Sequence, residues 1–281
     1  MDTVTWARLT AAAQRSAADL WSPLPPGDGC CPVCRGPSQR GYPRCYQCAM
    51  HQAEAPGWLA DLVVPISYAP KGGDHYTRLC RYKTDAPDAA VARAVLRALL
   101  LTFLREHGPC LWPRAGLPPP ARLAVVPSGQ GRPGPHPLAG LLAPLLSLAP
   151  APLAIRPGET LGRSLNPARF RASPSVAGQS VLLVDDTWVS GSSAQSAVVA
   201  LRRAGARQVA VVVLGRHVDP ADPRSARLLA RMEAGGYDGS VCAVHDPSST
   251  NLITFGDSKC GQVPRDRNSL SNRLTCDQLQ K

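Results

Sequence analysis

Long apolar segments are missing from this sequence, and so is a leader of the kind that directs export. No stretch of about 18 residues stays apolar without a proline or a charge, which excludes a predicted membrane-spanning helix. The first 30 residues lack a basic start followed by an uninterrupted apolar run. These absences predict a cytoplasmic protein that does not insert into membranes.

Acidic and aromatic residues are also scarce. Asp and Glu number 20 against 31 Lys and Arg, so the formal net charge is +11. Such an excess favours anionic partners such as phosphates or nucleic acid, although a genome-wide preference for arginine would give the same composition. Aromatic residues make up 5% of the chain, which argues against a dedicated platform for stacking single-stranded DNA.

The remaining composition is that of a folded α/β protein with a smaller module. At 281 residues and 44% hydrophobic content, the chain can bury a sizeable core. Apolar runs of strand length alternate with helical patterns from Trp58 onward, which predicts a parallel sheet flanked by helices. The predicted strands are 62–69, 122–128, 180–186 and 208–215, and the predicted helices are 4–21, 88–107, 136–148 and 193–204. We divide the chain into an N-terminal helix and linker (1–27), a zinc-ribbon-like module (28–56), the α/β domain (57–245) and a disordered tail (246–281).

The most informative stretch is VLLVDDTWVSGSS, residues 181–193. A buried strand ends in Asp185 and Asp186, and a loop of small and hydroxyl-bearing residues leads into a helix. Ligands bind at this edge of open α/β sheets, where the helix offers N–H groups to a phosphate. Two carboxylates there would repel a phosphate unless they accept other hydrogen bonds, for which ribose hydroxyls are suitable donors. The stretch predicts a sugar 5-phosphate site, and an acidic pair that only caps the helix is the alternative.

Common phosphate-binding motifs do not explain this loop. The sequence has neither G-x-x-x-x-G-K-[ST] nor G-x-G-x-x-G after a strand. The ligand class must therefore be argued from the acidic pair itself.

Four of the ten cysteines form two C-x2-C pairs separated by ten residues. Each pair can direct two thiolates at one ion, so Cys31, Cys34, Cys45 and Cys48 predict a structural zinc site. Cys30 could compete with Cys31, although Cys31 has the better spacing to Cys34. The other cysteines are isolated in sequence and are predicted to be buried or bystander thiols: Cys80, Cys110, Cys242, Cys260 and Cys276. The six histidines show no ligand spacing with one another.

Residues 181–193 resemble the phosphoribosyl diphosphate (PRPP) signature of type I phosphoribosyltransferases. With the cysteine pairs, residues 28–217 resemble the ComF family of competence-associated phosphoribosyltransferase-like proteins. Further similar segments are TRLCRYKTDAP (77–87), GRSLNPARF (162–170) and VALRRAGARQVAVVVLGR (199–216). The resemblance implies a type I phosphoribosyltransferase fold with a small N-terminal zinc-ribbon module.

The resemblance also implies roles for individual residues. Asp185 and Asp186 would hold the ribose 2- and 3-hydroxyls. The 5-phosphate would be held by Thr187, Trp188, Val189, Ser190, Gly191, Ser192 and Ser193, although the family usually has small or threonine-like residues in place of Trp188 and Val189. The diphosphate loop inherits its role by position alone, because PSGQGRPGPHP (127–137) departs from the family pattern and also fits an ordinary connector. Its candidates are Ser128, Gly129, Gln130, Gly131 and Arg132, and Arg163, Arg169 and Arg171 would belong to a basic flap.

The activity implied is transfer of phosphoribose from PRPP to an unknown nitrogen acceptor, through an oxocarbenium-like transition state. The cofactors would be structural zinc, and Mg²⁺ bound with PRPP. The alternative is a non-catalytic ComF-type protein of DNA uptake that binds single-stranded DNA or proteins of the competence machinery. A regulator that senses a nucleotide through the same loop is a weaker alternative. The prediction also allows a homo-oligomer.

Overall fold

The computed structural model describes residues 2–27, 29–114, 116, 118–128, 136–142, 148–159 and 162–244. The predicted tail lies outside the described residues. So do four candidates of the predicted diphosphate loop, Gly129, Gln130, Gly131 and Arg132.

A five-stranded parallel sheet, flanked by helices, forms the centre of the protein. In chain order the strands of the structure are β1 (Leu62–Pro70), β2 (Arg122–Val125), β3 (Ala149–Pro150), β4 (Leu153–Ile155), β5 (Phe170–Ala172), β6 (Ser180–Trp188) and β7 (Gln208–Val218). The sheet order is β1-β7-β6-β2-β3, and β4 pairs with β5 in a separate antiparallel ribbon. Strands β6 and β7 are central and covered on both faces, which explains their continuous Val- and Leu-rich sequences.

The helices pack on both faces of the sheet. They are α1 (Thr3–Arg15), α2 (Tyr46–Glu54), α3 (Asp74–Arg81), α4 (Ala89–Arg114), α5 (Pro137–Leu141), α6 (Ser192–Arg203) and α7 (Ala226–Glu233). One apolar core lies against α4 and contains Leu182 and Val184 of β6. A second core lies against α6 and contains Val181 and Leu183. Successive residues of β6 therefore face opposite cores, as the two-residue period of a strand requires.

Several boundaries differ from the predictions for identifiable reasons. The first helix ends at Arg15 rather than at residue 21, and the chain then extends so that the Trp21 N–H donates to Ser67 Oγ at 3.0 Å. Strand β2 ends at Val125, just before Pro127, which has no N–H to donate to a ladder. Strand β6 continues through Trp188, two residues beyond the predicted end. Of the predicted helix 136–148, residues 143–147 lie outside the described part.

Helix α4 is longer than predicted and contains Pro109 and Pro113. Proline disfavours a helix interior because it removes a hydrogen bond and its ring crowds the preceding turn. Burial of Leu111 and Trp112 in the main core offsets that cost here. Among the described helices, α4 included, none has the length and apolar character needed to cross a bilayer.

Candidate functional site

A cleft of about 1200 Å³ separates the cysteine-containing segment from the carboxyl edge of the sheet. The charged side chains that line it are Arg44, Lys71, Lys83, Arg163, Arg216, Arg224, Asp186, Asp219 and Asp222. The described lining thus carries six cations against three carboxylates. An excess of positive charge in a concave site concentrates anions, so the cleft is suited to a phosphorylated ligand.

Asp186 is the acid that faces this cleft. It lies on the face of β6 toward α4, where its Oδ2 accepts a hydrogen bond of 2.5 Å from the Tyr82 hydroxyl. Lys83 Nζ is also 2.5 Å from that oxygen. The Asp186 residue is only 5% exposed, so its charge is held in place by two neighbours from one short segment. The sequence pointed to this segment as similar to the family, but not to its contact with the acid.

Asp185 has a different environment. It lies opposite Val213 of β7, is partly buried, and does not line the cleft. Its Oδ1 accepts a hydrogen bond of 2.9 Å from the backbone N–H of Asp186. Burial, with a further contribution from the charge of Asp186, raises the pKa of Asp185 to about 8. The structure therefore places the two acids side by side but directs only Asp186 into the cleft.

The loop after β6 owes its shape to the close packing of Gly191 against the ring of Trp188. Gly191 has φ +81°, and a Cβ on it would lie 2.1 Å from Cζ2 of Trp188. Trp188 is 1% exposed and belongs to the core beneath the loop. The side chain that departs from the family pattern thus supports the loop from below rather than adding a hydroxyl to it. Val189, at the tip, is exposed and lines the cleft.

The loop leads directly into α6, but of its predicted phosphate-binding residues Thr187, Val189 and Ser190 line the cleft, whereas Trp188, Gly191, Ser192 and Ser193 do not. Gly191 is the N-cap and gives no side-chain hydrogen bond to the helix end. Ser190 Oγ lies 3.0 Å from Ser192 Oγ, and Ser192 Oγ donates to the carbonyl of Gly162 at 2.9 Å. Thr187 and Ser190 line the cleft, while Ser193 is partly buried within α6. A helix N-terminus after a glycine turn is a favourable environment for a phosphate.

The three candidate arginines of the flap are not equivalent. Arg163 is exposed and lines the cleft. Arg169 is buried, and its Nη2 donates to the carbonyl of Ser164 at 3.0 Å, so it holds the segment together. Arg171 is exposed on β5. Ser128, the described member of the predicted diphosphate loop, is partly buried after β2 and does not line the cleft.

The four predicted zinc ligands, Cys31, Cys34, Cys45 and Cys48, form one buried cluster. All four sulfurs lie within 4.8 Å of one another, and the Sγ atoms of Cys34 and Cys45 are 3.7 Å apart. With zinc–sulfur bonds of about 2.3 Å, a tetrahedral site has sulfur–sulfur edges of about 3.8 Å. The donor set and spacing therefore fit zinc, and four buried cysteines could hold it as a structural ion. Cys30 is turned away, with its Sγ 3.7 Å from the Tyr68 hydroxyl.

Arg216 joins the cysteine cluster to the loop. This residue of β7 is 6% exposed, and its Nη2 lies 3.7 Å from Cys34 Sγ. Its Nε donates to the carbonyl of Cys34 at 3.2 Å, and its Nη1 donates to the carbonyls of Trp188 and Val189 at 2.9 and 3.2 Å. Burial alone would lower the pKa of Arg216, but the neighbouring thiols, as thiolates, outweigh burial and raise it. Sequence analysis missed this residue because a buried arginine at the end of a strand has no local signature.

Gly36 makes the approach of Arg216 possible. A Cβ at Gly36 would lie 1.8 Å from Nη2 of Arg216. Only a glycine at this position lets the guanidinium reach Cys34. The glycine at position 36 is therefore explained by the passage of the Arg216 side chain from the sheet.

A second group of ligand-type side chains lies outside the cleft. One ring nitrogen of His107 and the sulfurs of Cys110 and Cys242 lie within 4.8 Å of one another. Cys110 and Cys242, which are isolated in sequence, come together because the fold brings the end of the described chain against α4. The spacing His107-x2-Cys110 was the signal available in the sequence, since it places both side chains on one helical face.

Comparisons with known proteins add no family to these observations. The chain matches no family model, no curated protein and no solved structure. A cationic cleft at a parallel-sheet edge, beside a four-cysteine cluster that could bind zinc, is what the structure itself establishes.

Proposed function

We propose that this chain is a phosphoribosyltransferase-like protein with a type I phosphoribosyltransferase fold, and that it binds PRPP in the cleft. The observation that carries the proposal is the placement of Asp186. A buried carboxylate, held by Tyr82 and Lys83, stands in a cationic cleft immediately before a glycine turn and a helix N-terminus. A ligand with hydroxyls beside a phosphate satisfies both halves of that arrangement.

The proposed orientation follows from which side chains line the cleft. Asp186 accepts hydrogen bonds from the ribose hydroxyls, and the N–H groups and hydroxyls of residues 187–193 receive the 5-phosphate. Lys83 and Arg163, which both line the cleft, offer positive charge to the diphosphate. Asp185 supports the site indirectly, because its carboxyl group fixes the backbone N–H of Asp186.

The chemistry proposed is displacement of diphosphate from the ribosyl carbon by a nitrogen nucleophile. Mg²⁺ bound with PRPP would supply positive charge to the departing diphosphate, and the carboxylate of Asp186, beside the loop, would offer it a hard oxygen ligand. The protein's own contribution is to orient the ribose against Asp186 and to hold the 5-phosphate at the start of α6. The structural zinc site would fix the cysteine-containing wall of the cleft.

Calorimetric titration of PRPP with Mg²⁺ tests the binding site. We expect saturable binding by the wild-type chain and at least a tenfold loss in Asp186→Asn. Asp219→Asn is the matched control, because Asp219 is a carboxylate of the same cleft that lies at the end of β7 rather than at the loop. Ribose 5-phosphate in place of PRPP separates sugar-phosphate binding from diphosphate binding. Equal affinity of the wild type and Asp186→Asn for PRPP would show that Asp186 is not part of the binding site.

A second candidate function, binding of single-stranded DNA, is favoured by one observation. Tyr42 and Tyr46 are each 66% exposed and line the cleft beside Arg44. Aromatic rings next to cations suit stacked bases and their phosphates. The low aromatic content argued against this function, but the structure brings two of the exposed aromatic side chains to one wall.

The two functions differ in what abolishes binding. DNA binding should weaken steeply with salt and be lost in Tyr42→Ala/Tyr46→Ala, while Asp186→Asn should leave it intact or improve it. Trp58→Ala is the control, because Trp58 is an exposed aromatic that does not line the cleft. Fluorescence anisotropy of a labelled oligonucleotide measures this. DNA affinity that is the same in the tyrosine variant and in the tryptophan control would exclude the tyrosine wall as a DNA site.

A further inference from the structure

We propose a second metal site, formed by His107, Cys110 and Cys242, that binds a borderline-soft divalent cation of the zinc class. The site lies outside the cleft and does not depend on the function proposed above. Its candidate ligand atoms already lie within 4.8 Å of one another. Zinc–sulfur bonds of about 2.3 Å and zinc–nitrogen bonds of about 2.0 Å require these atoms to close by at most about 1 Å.

Two elements supply the ligands. His107 and Cys110 are three residues apart on α4 and so share one helical face. Cys242 comes from the segment after α7, which is buried against the same helix in the main core. His245 follows Cys242 in the sequence but lies outside the described residues, so the proposal is restricted to the three described ligands.

A hydrogen bond to the backbone fixes the tautomer of His107. Its Nε2 donates a hydrogen bond of 2.9 Å to the carbonyl of Gly239, which leaves the lone pair on Nδ1. The ring packs on Phe103 with centroids 4.8 Å apart. Metal-bound histidines commonly donate their other N–H to a carbonyl in this way, because the bond fixes both tautomer and ring plane.

Charge favours a divalent ion at this place. His107 and Cys242 are each 1% exposed, so an uncompensated charge there would be costly. Two thiolates, a neutral imidazole and a divalent cation sum to zero net charge. Soft sulfur with imidazole is the donor set of zinc rather than of Mg²⁺ or Ca²⁺. The four-cysteine cluster, by contrast, would carry two negative charges with zinc and has Arg216 beside it.

The oxidation state of Cys110 controls whether the site can form. Cys110 is disulfide-bonded in the structure, and a sulfur in a disulfide cannot be a thiolate ligand. A phosphine supplies two electrons to break the disulfide, and one water molecule supplies the two thiol protons and the oxygen of the phosphine oxide. Metal binding then releases the protons of the Cys110 and Cys242 thiols. Disulfide and metal are therefore alternative states of one sulfur, which makes the site dependent on redox conditions.

The position of the site indicates what it stabilises. The distance along the helix axis from the start of α4 to Cys110 is about 30 Å, at 1.5 Å per residue. Helix α4 runs away from the carboxyl edge of the sheet. The metal would fasten the segment containing Gly239 and Cys242 to the far end of α4. The same segment accepts a hydrogen bond from Arg35 at the carbonyl of Ala243.

Metal counting on the full-length chain tests the proposal. The protein is reduced with a phosphine, stripped by a chelator, reloaded with Zn²⁺ without oxygen and desalted, and its zinc is measured by mass spectrometry. We expect about two equivalents in the reduced chain and about one in the unreduced chain. His107→Gln and Cys242→Ser should each bind about one, and the control Cys80→Ser, an exposed thiol, should keep both.

Co²⁺ in place of Zn²⁺ distinguishes the two sites, because sulfur-to-cobalt absorption grows with the number of thiolates. His107→Gln should retain the spectrum of a four-thiolate site, and Cys31→Ser/Cys34→Ser should retain a weaker spectrum from two thiolates. One equivalent in the reduced wild type, or a second equivalent that survives in both His107→Gln and Cys242→Ser, would overturn the proposal.

Alkylation of the wild-type chain needs no variant and covers the case in which a variant does not fold. Zn²⁺ should slow iodoacetamide labelling of Cys110 in the reduced chain, as mapped by peptide mass spectrometry, and should leave Cys80 unchanged. Identical labelling of Cys110 with and without Zn²⁺ would also overturn the proposal.

Discussion

Replacing Arg216 by methionine should both destabilise the chain and loosen the zinc that we propose for the four-cysteine cluster. The guanidinium is buried and donates to four backbone carbonyls, those of Cys34, Trp188, Val189 and His217, while Nη2 lies 3.7 Å from the Cys34 sulfur. Methionine has a similar length and no donor. The variant therefore keeps most of the packing and removes the charge and the hydrogen bonds.

The size of the destabilisation follows from the charge that stays buried when the arginine is removed. Removing one partner of a buried charge pair costs about 3–5 kcal/mol, because the other charge remains in a low dielectric without compensation. The free energy of unfolding of a domain is about 5–15 kcal/mol, so the loss is a large fraction of the total. With a urea dependence of about 3 kcal/mol per molar, the unfolding midpoint should fall by about 1–2 M.

Two assays on the same samples check this. Urea unfolding followed by circular dichroism gives the midpoint, and a chromophoric chelator gives the rate of zinc release, which should rise at least tenfold. Arg224→Met is the matched control, since Arg224 lies in the same cleft with its side chain 58% exposed, and a surface change of this kind costs within about 0.5 kcal/mol. A midpoint and release rate for Arg216→Met equal to those of the control would refute the reasoning.

Three further variants test the loop and its acids. Gly191→Ala should weaken PRPP binding at least tenfold and destabilise the chain by about 1–3 kcal/mol, whereas Gly178→Ala, with φ +70° and no atom within 4 Å of its Cβ, should affect stability alone. Asp185→Asn should stabilise the chain more strongly as the pH rises from about 4 to about 8. The pKa of Asp185 is about 8 in the folded chain and 3.8 for an ordinary aspartate, so the folded wild type binds the proton more tightly than the unfolded chain does. The wild type therefore loses up to about 1.4 kcal/mol of unfolding free energy per pH unit in that window. Urea unfolding at several pH values measures the difference, and a difference independent of pH would contradict the buried environment of Asp185. Tyr82→Phe should cost about 1.5–3 kcal/mol in unfolding free energy, because it removes a buried hydrogen bond to the charged Asp186, and an unchanged midpoint would show that this bond contributes nothing.

The parts of the fold that follow local rules were predictable from the sequence. The strands β6 and β7 are continuous apolar runs, and the helix α6 begins after a glycine, so their existence and order could be inferred. The end of α4 could not, because Pro109 and Pro113 disfavour a helix locally and only burial in the main core offsets this. Local preference decides such boundaries only where tertiary packing does not oppose it.

In the candidate site, too, the features that form local motifs were predictable and the contacts between distant residues were not. Its acidic pair and its cysteine pairs are local motifs, and the structure brings the four cysteines together as their spacing predicts. Asp185 and Asp186 have different environments because the strand continues past them to Trp188. The glycine- and serine-rich sequence that follows had suggested that the strand ends at the acids. The contact between Arg216 and Cys34 joins residues 182 positions apart. No local pattern encodes such a contact, and His107 meets Cys242 in the same way.

The contacts of Arg216 imply that the two metal sites should have separable effects on the cleft. The four-cysteine cluster is joined to the loop by the guanidinium of Arg216, so removing the zinc proposed for the cluster should shift the carbonyls of Trp188 and Val189 and weaken PRPP binding. The residues of the proposed site at His107 lie toward the end of α4 and do not line the cleft, so loss of that site should lower stability alone. Titrating PRPP into Cys31→Ser and into His107→Gln, each at a temperature where the variant is folded, compares the two effects. If both variants lost PRPP affinity equally, the coupling would run through the whole core, and Arg216 would not be the connection between metal and ligand.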